Sequence, residues 1–119
     1  MTGTLLLSND LENLRKVYGG GGMERLAEIS RLYPRLLTAD EILPNREALK
    51  NIRAIFSTWG MPRLTEEQLD ALPSLKAVFY AASSVKPFAD VLLNRGIMVV
   101  SAWAANAVAV AEFASSEIL

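Results

Sequence analysis

The sequence contains no cysteine and no histidine. Without cysteine there is no disulfide, no thiolate nucleophile and no Cys-based zinc or iron–sulfur site. Without histidine the chain lacks the usual general base near neutral pH, the Ser–His and Cys–His dyads and the commonest zinc ligand. Chemistry carried by this chain alone would run on carboxylates, Lys, Arg or Tyr. A surplus of one charge is missing too: 12 Lys and Arg face 13 Asp and Glu, a net charge of -1. That balance supplies no global field for gripping a phosphate backbone and argues against a nucleic-acid partner. Residues 1–7 carry no basic leader signature. The longest apolar stretch, 96–111, is interrupted by Ser101 and Asn106 and includes the strand-like run Ile97-Met98-Val99-Val100. A cytoplasmic chain with no membrane span is expected.

What is present is ample apolar material. The chain has 119 residues and is 51% hydrophobic, which suits one domain with a packed core. Five apolar runs stand out, at 4–7, 34–38, 54–59, 76–82 and 97–102. The last three are near-continuous rather than alternating, the pattern of strands buried on both faces of a parallel sheet. Between the runs, Leu11, Leu14 and Tyr18 recur at helical spacing, as do Leu26, Ile29, Ser30 and Tyr33. Asn9 with Glu12, and Thr65 with Gln68, read as capping boxes. Pro44-Asn45 opens a predicted helix over 46–52, and Pro73 closes the one begun at Thr65. Alternating strands and helices with right-handed crossovers predict an α/β fold: a flavodoxin-like, open, five-stranded parallel sheet with helices on both faces.

From about Ala105 the pattern is helical. In residues 106–119 Glu112, Ser115 and Ser116 form a polar stripe while most other faces are apolar. No Lys or Arg occurs after Arg95, and no Gly or Pro stop signal follows the helix. The expectation is a domain over 1–104 and the start of a connecting helix over 105–119 within a larger, truncated protein. Its exposed apolar faces predict a homo-oligomer formed by association or exchange of that helix.

Several segments carry candidate chemistry. Gly19-Gly20-Gly21-Gly22 invites a phosphate-loop reading, but no strand precedes it, no Lys-Ser/Thr follows, and Arg25 stands where G-x-G-x-x-G needs its last glycine. It reads as a connector between two helices. A phospho-acceptor site of the receiver type fails as well, since Thr58-Trp59 and Ala102-Trp103 stand where an Asp and a Lys are required. The turn Ala81-Ala82-Ser83-Ser84-Val85-Lys86 follows the fourth run; it is either an ordinary small-residue turn or a set of backbone N–H groups facing a small carboxylate, with Lys86 as electrostatic aid. Trp59 and Trp103 end the third and fifth runs, where they wall an apolar pocket or pack against a helix. Glu66-Glu67 reads as first-turn charge that favours the helix dipole.

Four stretches taken together carry a resemblance. Ala71-Leu72-Pro73-Ser74-Leu75-Lys76-Ala77-Val78, the turn from Tyr80 to Val85, Arg95-Gly96-Ile97-Met98-Val99-Val100, and Asn106-Ala107-Val108-Ala109-Val110-Ala111-Glu112-Phe113 resemble the D-isomer-specific 2-hydroxyacid dehydrogenase family. The likeness covers about 50–119; the first 50 residues match only as a generic βα unit. It implies the N-terminal part of a substrate domain, cut before the Rossmann domain, in an oxidoreductase that uses NAD or NADP on small 2-hydroxy or 2-keto acids. It further implies that Ser84 and Val85 donate main-chain N–H groups to the substrate carboxylate, with Ser83 in the place of the family's usual glycine, and that Trp59 lines the pocket. The family's catalytic Arg, Glu and His and its nucleotide fingerprint have no counterpart here. No catalytic, cofactor-binding or metal residue is therefore assigned, and the chain alone is expected to be inactive. The alternative is a stand-alone α/β module for ligand binding or interaction.

Overall fold

Three apolar segments, Gly3–Leu6 (β1), Ile52–Ser57 (β3) and Ala77–Tyr80 (β4), are buried along almost their whole length. A strand with apolar side chains on both faces needs cover on both, and in a parallel sheet the crossovers supply it. The computed structural model describes residues 3–19, 21–58, 60–80 and 86–100. With Arg31–Leu32 (β2) and Met98–Val100 (β5) the strands form one five-stranded sheet in the order β2-β1-β3-β4-β5. Every pairing is parallel. This is the flavodoxin-like α/β arrangement that the apolar runs predicted.

The helices are Leu11–Tyr18 (α1), Gly22–Ile29 (α2), Glu66–Asp70 (α3) and Lys86–Leu93 (α4). On one face of the sheet Leu14, Tyr18 and Leu26 pack on Leu6, Ala54, Phe56 and Phe79. The rings of Phe56 and Phe79 stack at 4.9 Å, and Tyr18 meets Phe56 edge-on at 6.4 Å. On the other face Leu69, Phe88 and Leu92 join Ile42 and Leu49 over Leu5, Leu7, Ile55 and Val78. Right-handed connections account for this division: the excursion from β1 leftward to β2 lies on one side, and the rightward moves β3→β4→β5 lie on the other.

The structure corrects four local expectations. The second strand is Arg31–Leu32 rather than 34–38. The chain bends at Pro34 and Arg35, where proline offers no N–H to a ladder, and Leu37 returns only as an isolated bridge to Leu7. The helix predicted over 46–52 is a run of turns with i→i−3 bonds following the 3₁₀ segments Ala39–Glu41 and Leu43–Asn45. So short a stretch does not repay α-helix nucleation, and tighter turns still bury Ile42 and Leu49. The cap of α1 is Asp10, which accepts from the Asn13 N–H at 3.0 Å, while Asn9 accepts from the Ala39 N–H at 3.1 Å. Finally, β5 is not buried on both faces: Met98 is 52% exposed and Val99 and Val100 are half-buried.

The capping box at Thr65 and Gln68 is present in both directions, at 3.1 and 2.9 Å. Residues 19–22 do connect two helices: Gly19 is the C-cap of α1, and Gly21, with φ of 104°, precedes α2. Arg95 clamps α3 to the α4–β5 turn through Glu66 at 2.6 Å and Asp70 at 2.9 Å.

Candidate ligand-binding site

In an open parallel sheet, ligands bind outside the carboxyl ends of the strands, at the point where successive connections diverge. Here that point lies between β1 and β3, since β1 leads toward β2 and β3 toward β4. The rim is made of Ser8, Asn9 and Asp10 after β1, Thr58 and Gly60 after β3, Thr38 and Ala39 beyond the Leu37 bridge, and Tyr80 at the end of β4.

The floor of the rim is polar yet sealed. Ser8, Ser57 and Thr58 are buried. The Ser57 hydroxyl donates to the Leu7 carbonyl, tying the ends of β1 and β3 together. The Tyr18 hydroxyl reaches from α1 and donates to the Ser57 carbonyl at 2.8 Å. Burial pushes the Tyr18 phenol well above its ordinary range, so it remains a neutral donor. Among the described residues no buried side-chain nitrogen or oxygen lacks a partner.

Above this floor the two loops meet directly. The Asn9 N–H donates to the Gly60 carbonyl at 2.8 Å, and the Asp10 N–H to the Ser8 Oγ at 2.9 Å. Gly60 has φ of +93°, and a Cβ there would stand 2.7 Å from Ser8 Oγ and 2.8 Å from Asp10 Cβ. The β1–β3 crevice is thus filled by the protein's own backbone. Arg63, just past Gly60, pairs with Asp90 of α4; its hydrogen bond holds the Asp90 carboxyl below the usual range.

The residues singled out from the sequence, Trp59, Ser83, Ser84 and Val85, lie outside the described residues, as does Trp103. Lys86 opens α4. Glu66 has a structural partner in Arg95. The glycines around 19–22 join helices rather than follow a strand, so they do not suit a dinucleotide. Sequence reasoning missed Tyr18, Ser57 and Gly60. Only Gly60 left a readable trace, as a glycine immediately after an apolar run. A cleft of about 220 Å³ lies at the opposite, amino end of the sheet, bordered by Leu69, Leu72, Leu75, Asp70, Arg95 and Ile97. Arg95 is already engaged there by two carboxylates. Among the described residues no cluster of three or more acidic groups could hold a metal ion, and no helix is long and apolar enough to cross a membrane.

Two outcomes follow from the rim geometry. Gly60→Ala adds positive-φ strain to a steric conflict and should lower unfolding free energy by about 1–3 kcal/mol or more, measured in urea. Tyr18 protonation stabilises the fold fully below the unfolded phenol's pKa near 10 and is lost as pH rises above it. Between pH 9 and 11 the parent should therefore lose about 1.4 kcal/mol more stability than Tyr18→Phe, which has no proton to release. Equal losses would show that the phenol is not shielded in the folded state.

Comparison of the chain with protein-family models, with curated proteins and with solved structures finds no match.

Proposed function

We propose that this chain is the N-terminal part of the substrate domain of an NAD(P)-dependent oxidoreductase acting on small 2-hydroxy or 2-keto acids, working in the cytoplasm. The observation that carries the reading is the route of β4. The strand is buried on both faces, and its last residue, Tyr80, delivers the chain to the carboxyl rim just before residues 81–85. Those residues belong to the stretches that resemble the D-2-hydroxyacid dehydrogenases. The β1–β3 crevice is occupied by contacts of Asn9 and Asp10 with Gly60, which favours the β3–β4 side of the rim for a ligand.

On this reading the backbone N–H groups of Ser84 and Val85 hold the carboxylate of the acid, and Trp59 shields its carbon chain. Amide donors suit that task because they recognise an anion without a side-chain charge and cannot lose their protons. The chain lacks histidine, so it does not supply the proton exchange at the substrate oxygen. Hydride transfer belongs to a nicotinamide held by a separate nucleotide domain, and no residue here takes part in that step. The rigid floor of Ser57 and Tyr18 keeps the β3 loop in register with β1 beneath the ligand.

Calorimetry with glyoxylate, pyruvate and longer 2-keto acids tests the proposal. Proline removes a backbone donor, so Ser84→Pro and Val85→Pro should abolish binding while Ser84→Ala retains it, with circular dichroism confirming that each variant is folded. Equal binding by all variants, or none by the parent chain, would refute the assignment. Oxidation of NADH by the chain alone would refute the division of labour.

A further inference from the structure

We propose that the Arg63–Asp90 pair is a strap that holds the chain between β3 and α3 against α4, so that the two flanks of the β3–β4 side of the carboxyl rim keep a fixed separation. The strap stands on the described geometry alone; its effect on a bound acid rests on the functional reading above.

Residues 60–65 are tethered at both ends to the same neighbours. At the start, the Gly60 carbonyl accepts from the Asn9 N–H at 2.8 Å. At the end, Thr65 shares a capping box with Gln68, whose Nε2 donates to the Ala39 carbonyl at 3.1 Å. The Ala39 N–H donates to Asn9 Oδ1 at 3.1 Å and closes the ring. Each of these bonds joins neutral groups, and together they draw 60–65 toward the loop that follows β1.

Arg63 pulls the other way. Met61, Pro62 and Leu64 are buried around it, and Arg63 is exposed. Its guanidinium pairs with Asp90, one turn into α4. The partners lie 27 positions apart, and between them run α3, β4 and residues 81–85, where the functional reading puts the acid. The pair therefore closes a circuit of chain around the carboxyl end of β4. Because α4 starts directly after that stretch, at Lys86, a shift of the helix displaces the segment that feeds it. Beneath the pair Leu64 and Phe88 share one apolar core. Apolar burial is non-directional, whereas a guanidinium–carboxylate contact fixes how loop and helix stand side by side. Both side chains are more than half exposed, at 53% and 58%. Such a pair is weak and screened by salt, so it positions α4 without locking it.

Amide hydrogen exchange on the full chain tests the strap. Arg63→Gln and Asp90→Asn should each speed exchange at Leu92 and Leu93 of α4 by about three- to five-fold, and the double variant no further. The Asn9 and Gln68 amides should keep the parent's rates, because the neutral ring is intact. The charge swap Arg63→Asp with Asp90→Arg should return α4 to the parent's rates. Additive effects of the single changes, equal acceleration at all four amides, or no rescue by the swap would overturn the strap. In calorimetry with pyruvate, each single variant should bind about three- to five-fold more weakly and the swapped protein as the parent does. Equal affinity across these proteins would remove the strap from the site. Absence of binding by the parent would refute the functional reading, while the exchange rates still decide the strap.

Discussion

Everything in this molecule follows from the need to cover β1, β3 and β4 on both faces. Their side chains are apolar on either side, and each CH₂ left in water would cost about 0.8 kcal/mol. Two layers of helices and turns meet that need, and right-handed connections decide which segment goes to which layer. The division in turn fixes where the strands end together and hence where a ligand can approach.

At that rim the chain favours rigidity over openness. Ser57 and Tyr18 form a buried hydrogen-bonded chain from α1 through the end of β3 to β1. Burial keeps the phenol protonated, and the protonated phenol is the form able to donate. One layer higher, the missing side chain of Gly60 lets two loops touch through their backbones. Among the described residues these backbone contacts close the crevice between β1 and β3.

How much of this was legible depends on the scale of the interaction. The buried strands announce themselves in Ala54-Ile55-Phe56 and Val78-Phe79-Tyr80, because burial on two faces leaves no room for polar residues. The Thr65–Gln68 box was readable because both partners lie within one turn. β2 was not readable: it is two residues long, with Arg31 exposed and only Leu32 packed against the core, so its pairing with β1 leaves no apolar run in the sequence. Asn9 and Asp10 could both cap a helix, and only the Ala39 N–H, distant in sequence, assigns Asn9 elsewhere. The Tyr18–Ser57 bond spans 39 positions and is a property of the packed sheet alone. Of the candidate site, the supporting rim is visible among the described residues, whereas Trp59 and 83–85 fall outside them.

The central proposal is that a small 2-keto acid binds this chain at the carboxyl rim beside β4. Amide-resolved nuclear magnetic resonance during titration with such an acid tests it most directly. The shifts should centre on Ser84 and Val85, extend to Thr58 and Gly60, and spare Arg95 and Ile97. Shifts centred on the cleft around Arg95, or spread without a focus, would contradict it.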